Sequence, residues 1–238
     1  MSEKVKEAWG SGDPYEHYVG RWSRRVAGEF LAWLDLPSRL TWGDVGCGTG
    51  ALVESMLALA DPQLIFAIDR SAGFISAAQA NIPDQRVRFE VADATALPWT
   101  DASCEVTVSG LVLNFVPDPR TMVREQVRVT RRNGTVAAYV WDYRGGMAMM
   151  RQFWAAAIAL NPKDAALDQA ERFPLCQPEP LQALFEEAGL HSVSVRAIDI
   201  PTLFRDFDDF WQPFLGRQGA APTYLASLDS ETRDRIRE

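Results

Sequence analysis

The stretch Asp44-Val-Gly-Cys-Gly-Thr-Gly50 constrains this chain more than any other. Three alternating glycines, Gly46, Gly48 and Gly50, stand between an apolar run and a helix-forming run. Glycine lets backbone approach a ligand closely, and the amides that open the following helix are donors without intrahelical partners. A strand–loop–helix unit of this kind needs further βα units beside it to bury its sheet.

The rest of the chain supplies them. Apolar residues at a step of four (Tyr18, Trp22, Val26, Phe30, Leu34) predict a helix over 14–34. Strands follow at 40–45, 63–69, 87–92, 104–109 and 135–141. Helices are predicted at 50–60, from an N-cap at Ser71 to Ala80, and at 119–130, the last closed by the turn Arg131-Arg132-Asn133-Gly134. This alternation implies a mostly parallel sheet in a three-layer, Rossmann-like α/β fold. After Asp142 the rhythm changes. A helix at 147–160, a proline-broken loop at 161–180, a helix at 181–188, a strand at 193–200 and helices at 206–215 and 223–237 are expected. The expected organisation is a single domain over 1–238. It comprises a lid helix (14–34), a cofactor-binding core (40–145) and a helical, substrate-side cover (146–238).

Two nucleotide patterns overlap in the glycine loop. Gly46, Gly48 and Ala51 satisfy G-x-G-x-x-A, the dinucleotide fingerprint. Asp44 to Gly50 also reads D-x-G-x-G-x-G. A carboxylate two residues before the first glycine repels a pyrophosphate and attracts a cation. S-adenosylmethionine carries an ammonium and a sulfonium and no phosphate. Asp69, ending the next strand, suits ribose hydroxyls under either pattern. Asp93, after the third strand, suits adenine N6, with the Ala94 amide for N1.

DVGCGTG, AIDRS, VADATALPW, VSGLVLNFVPDP and RRNGTVAAYVWD together resemble the class I S-adenosylmethionine-dependent methyltransferases. The similarity is to the small-molecule group that includes the ubiquinone and menaquinone C-methyltransferases, and it spans roughly residues 40–145. It implies a seven-stranded sheet with the cofactor across its carboxyl edge. It further implies cofactor contacts from Asp44, Gly46, Cys47, Gly48, Asp69, Arg70, Asp93, Ala94, Ser109, Gly110 and Leu111. Two departures are visible. The usual Pro-Gly-Gly turn before the fifth strand is Arg132-Asn133-Gly134, where Gly134 is expected to keep the permissive position. No apolar strand follows 193–200 to close a terminal hairpin.

Such enzymes use the N-terminal helix as a lid, which puts Tyr18 over the methionine end and Arg21 on its carboxylate. His17 is the candidate base, needed only when the acceptor must lose a proton. Asn114 and Phe115 after the fourth strand, and Trp141, Asp142 and Tyr143 after the fifth, are acceptor-side candidates. Phe153, Trp154, Phe207, Phe210 and Trp211 could roof an apolar acceptor or simply pack as core. Cys47, inside the loop, reads as a small packed thiol. No His/Cys/carboxylate spacing suits a metal.

Composition limits the partners. The net charge of −8 opposes nucleic-acid binding. Arg124, Arg128, Arg131 and Arg132 read as a solvated face. Three widely spaced cysteines fit reduced thiols in a cytoplasmic protein, and no run is long and apolar enough to span a membrane. The expected activity is methyl transfer from S-adenosylmethionine to a small molecule. A non-catalytic binder of that cofactor and an NAD(P)-dependent oxidoreductase are the alternatives.

Overall fold

A computed structural model describes residues 20–216 and 219–238. Its elements are α1 (Arg21–Leu34), β1 (Thr41–Val45), α2 (Ala51–Leu59), β2 (Leu64–Asp69), α3 (Ala72–Asn81), β3 (Val87–Val91), β4 (Cys104–Gly110), α4 (Pro119–Val129) and β5 (Thr130–Tyr139). The later helices are α5 (Ala148–Leu160), α6 (Gln169–Arg172), α7 (Pro178–Glu187), α8 (Phe207–Trp211), α9 (Ala220–Ser227) and α10 (Ser230–Arg237).

The sheet runs β3-β2-β1-β4-β5, parallel throughout. Crossovers go one way from β1 and the other way from β4, so strand order reverses between them. In open parallel sheets the crevice beyond the carboxyl ends at that reversal receives the ligand. The central strands β1, β2 and β4 are buried along half or more of their length. Trp42, Ile65, Ala67, Val106 and Val108 are buried, as are Val53 and Met56 of α2 and Met122 and Val123 of α4. Caps fix where two helices start. The Ser71 hydroxyl accepts the Phe74 amide at 3.3 Å, and Asp118 accepts the Thr121 amide at 3.0 Å just before a proline at the first helical position.

Two compact units are present. One comprises Ser23–Val140 with Pro178–Ile200 and contains the whole sheet. Among the described residues, the other comprises 20–22, Trp141–Gln177 and the residues from Pro201 to Glu238. The second unit has its own core, in which Phe153 stacks on Phe214 at 4.6 Å and Trp154 lies 5.2 Å from Tyr224. The buried Trp154 indole donates to the Gln169 side-chain oxygen, so the polar end of that tryptophan is satisfied.

Five expectations need correction. The segment 193–200 is not a strand. Val193, Val195, Ile198 and Ile200 are half-buried and their neighbours exposed, but no ladder pairs this segment among the described residues. Alternation reports one-sided burial, whereas a strand also needs a backbone partner. For the same reason the sheet has five strands among the described residues, not seven. The RRNG turn lies inside β5, as an irregularity between the pairs Cys104–Thr130 and Val106–Thr135. There Asn133 takes the left-handed conformation (φ +62°), and Gly134 serves by smallness, since a Cβ on it would sit 2.5 Å from the Glu105 carbonyl oxygen. The helix expected over 223–237 is two, because Asp229 accepts the Thr232 amide at 2.7 Å and caps a new one. The loop 161–180 likewise winds into short turns at Pro162–Leu167 and Pro174–Cys176 around α6.

Candidate active site

Asp44 stands one residue before the end of β1, in register with Ala67 of β2 and Val108 of β4. It is completely buried, and neither carboxylate oxygen has a hydrogen-bond partner among the described residues. A lone charge there has lost its hydration without compensation. Burial, and secondarily the neighbouring Asp69, pushes its pKa up to about 8.

Asp69 ends β2, and its carboxylate staples two loops together. One oxygen accepts the Gly48 amide at 3.1 Å and the other the Ser71 amide at 2.8 Å. Burial raises its pKa, against the opposing pull of the two amides and of Arg70. A carboxylate has about four acceptor positions, so room for two further donors remains.

The glycine loop is pinned from β2 as well. The Gly46 and Cys47 amides both donate to the Ile68 carbonyl at 2.8 Å. Gly48 lies in the left-handed region (φ +55°), and a Cβ placed on it would meet nothing within 4 Å among the described residues. Its α-carbon therefore faces open space, while the loop on either side is held. Cys47 is a buried thiol whose pKa is driven well up by burial and by Asp44 and Asp69. It is no nucleophile.

After β3, the Asp93 carboxylate accepts both the amide and the hydroxyl of Thr95 at 2.7 Å, which holds its pKa down. Asp93 is exposed and Ala94 half-buried at the mouth of this turn. The chain from there to β4 is clamped by Arg128 of α4. Its guanidinium donates to the carbonyls of Leu97 (3.0 Å) and Trp99 (2.9 Å), to Asp101 (2.7 Å) and twice to Glu125 (2.7 Å), while Glu125 accepts the Leu97 amide at 2.8 Å. Sequence reasoning missed this. The signal was the Glu125–Arg128 spacing on one helix face.

At the end of β4 the Ser109 hydroxyl is buried and unpartnered among the described residues. Gly110 pairs with Tyr139 of β5. Leu111 adopts φ +62°, uncommon for leucine, and its amide donates to the Tyr139 carbonyl at 2.8 Å. A short turn over Leu113–Phe115 follows. In it the Asn114 amide nitrogen is buried without a partner among the described residues, beside the half-buried Phe115.

In the second unit, Asp142 accepts the Gly145 amide (2.7 Å) and the Gln177 side-chain amide (3.3 Å), closing the turn into α5. Tyr143 is buried against Phe173 at 5.6 Å, and Trp141 is half-buried. Phe153, Trp154 and Trp211 are buried in that unit's core, with Phe210 packed against it, whereas Phe207 is half exposed. Arg21 donates to Asp209 at 3.1 Å, its guanidinium 4.6 Å from the Trp22 ring and 4.9 Å from that of Phe204. His17 and Tyr18 fall outside the described residues. No group of three or more potential metal ligands occurs among the described residues, and no described helix is long and apolar enough to cross a membrane.

The site thus sits on a parallel 3-2-1-4-5 sheet, with a glycine loop after its first strand and acids at or just beyond the ends of the first three. Residues 43–138 match the family described as a methyltransferase domain. It is 28% identical over 187 residues to the 2-methyl-6-phytyl-1,4-hydroquinone methyltransferase of Synechocystis, a match covering 77% of this chain and 57% of that protein. It is 28% identical over 172 residues to the demethylmenaquinone methyltransferase of Roseiflexus castenholzii, covering 66% of this chain and 70% of that one. The chain thus spans little more than half the length of the first relative. A putative methyltransferase from an antibiotic biosynthesis pathway of Anabaena variabilis superposes with a TM-score of 0.64 at 18% identity, covering 90% of this chain and 82% of that one. The family implies S-adenosylmethionine as methyl donor. The residues present fit it: an unpartnered buried acid, a glycine opening on free space, and a second acid with acceptor capacity to spare.

Proposed function

We propose that this chain transfers a methyl group from S-adenosylmethionine to a small-molecule acceptor by in-line displacement. Asp44 carries the reading. A buried, unpartnered acid next to backbone that opens on free space suits a cation and repels the pyrophosphate of a dinucleotide. Asp44, Gly46, Cys47 and Gly48 line the methionine portion, the last three through backbone. Asp69 holds the ribose hydroxyls with its spare acceptor positions, with Arg70 beside it. Asp93 and the Ala94 amide take the adenine edge. Ser109, Gly110 and Leu111 run beside the methionine amino group and the sulfonium.

S-adenosylmethionine, when bound, supplies a methyl group already activated on a sulfonium. What this chain's residues add is alignment of the acceptor and exclusion of water. The acceptor reading is a hydroquinone-like ring, after the substrates named for the Synechocystis and Roseiflexus relatives, with the Asn114 amide donating to a ring oxygen. Three buried, unpaired thiols suit a reducing, cytoplasmic setting.

Calorimetric titration with S-adenosylmethionine and with NADP, followed by mass spectrometry of hydroquinones incubated with trideuteromethyl donor, tests the reading. The expected result is binding of the first only and a mass gain on the ring. Absence of S-adenosylmethionine binding overturns it. Binding with no transfer across the panel turns it into a cofactor-binding protein without turnover.

A further inference from the structure

Asp44 poses a problem that cofactor recognition alone does not resolve. It lies on β1, the strand between β2 and β4; its side chain is wholly buried, and neither carboxylate oxygen has a hydrogen-bond partner among the described residues. The ionisable group acting on it is itself an acid, Asp69 at the end of β2. Arg70 is exposed and acts on Asp69. Burial and Asp69 thus oppose a negative charge at Asp44 in the ligand-free protein, while a cationic ligand needs one.

We propose that cofactor binding is coupled to the loss of one proton from Asp44, which is neutral in the ligand-free protein and ionises as the cation arrives. The inference rests on the reading above that the ligand is S-adenosylmethionine. The step balances. The carboxylic O–H bond breaks, its electron pair stays on the Asp44 oxygen, the proton leaves to buffer, and the ligand's positive charge compensates the carboxylate. The site is then held without a bare buried charge between turnovers, and affinity becomes dependent on pH.

Isothermal titration of the intact chain with S-adenosylmethionine, in buffers of differing ionisation enthalpy, counts the protons. With Asp44 titrating near 8 in the free protein, about 0.9 proton is expected to leave per ligand at pH 7. Apparent affinity should rise about tenfold per pH unit below that point and level off above it. Neutral 5′-methylthioadenosine should release none. In Asp44→Asn the release should vanish. Should that variant fold poorly, difference infrared spectroscopy of the unaltered chain reads the same event as loss of a carboxylic-acid carbonyl band when ligand is added. S-adenosylmethionine binding without proton release or band loss overturns the inference alone, as does equal release with 5′-methylthioadenosine. A chain that binds no S-adenosylmethionine overturns the functional reading and this inference with it.

Discussion

The Gly48 amide donates to the Asp69 carboxylate across 3.1 Å, tying the loop after β1 to the end of β2. Because the other oxygen of Asp69 accepts the Ser71 amide, one side chain sets both the glycine loop and the start of α3. A residue proposed to hold ribose is thus also the one that shapes the pocket.

Asp69→Asn tests this double role. An asparagine offers one acceptor oxygen and turns an N–H toward a backbone donor, so one of the two amides is orphaned. Stability is expected to fall by about 1–3 kcal/mol, read by thermal denaturation. S-adenosylmethionine affinity should fall at least roughly tenfold. A variant with weakened binding but unchanged melting would show that the staple is not needed for the fold.

Gly48→Ala separates the ligand from the scaffold. The added methyl meets nothing within 4 Å among the described residues, so the cost expected there is the left-handed backbone, roughly 1 kcal/mol. The methyl enters the space assigned to the cofactor. Near-normal melting with S-adenosylmethionine affinity lowered by a factor of about ten or more is the expected pair of results. Unchanged affinity would remove Gly48 from the site.

Much of this was legible in the sequence because it is local. The glycines, the acids at successive strand ends and the Ser71 cap are read from short windows, and the β/α alternation that orders them sets the sheet. What was hidden depends on partners distant in sequence. Arg128 looked like one more solvated arginine, yet its carbonyl acceptors lie about thirty residues earlier. The alternation over 193–200 reported half-burial correctly and could not report a missing ladder. Asp142 follows β5, and the donors to its carboxylate, the Gly145 amide and the distant Gln177 side chain, were not visible in the local sequence. Asn133 took the left-handed position that Gly134 was expected to hold.

Asp44 should leave a mark on stability as well. Its pKa lies near 3.8 unfolded and about 8 folded, so between those values the unfolded chain releases its proton first. The ligand-free protein therefore loses stability as pH rises through that window, by at most about 1.4 kcal/mol per unit. Asp69, also raised, acts in the same direction. Carboxylates held low, such as Asp84 and Asp93, act with the opposite sign and only under more acidic conditions. Scanning calorimetry from pH 5 to 8 should show a falling midpoint that flattens in Asp44→Asn. An equal slope in both proteins would assign the effect elsewhere.

Arg128→Lys is expected to behave almost as Arg128→Ala. A lysine ammonium cannot reproduce the fork that grips Glu125 while reaching the Leu97 and Trp99 carbonyls. Loss of about 1–2 kcal/mol is expected for each. Hydrogen exchange should rise over residues 94–103, with a smaller effect on cofactor affinity. Full rescue by lysine would show that charge near Asp101 suffices.

Asn114 offers the sharpest division between stability and function. Its buried amide nitrogen has no partner among the described residues, so the fold carries a desolvated donor that a ligand would satisfy. Replacing it with leucine, similar in size and apolar, removes that cost. Asn114→Leu is therefore expected to melt at the same temperature as the parent or higher. If the amide meets a ring oxygen of the acceptor, kcat/KM for that acceptor should fall by roughly ten- to a hundredfold, the worth of a hydrogen bond made in a dry site. S-adenosylmethionine affinity, measured separately, should stay within about twofold, because the change lies on the acceptor side. A parallel loss of cofactor binding would move Asn114 to the donor side. Lower melting would mean that the amide already has a partner in the folded chain.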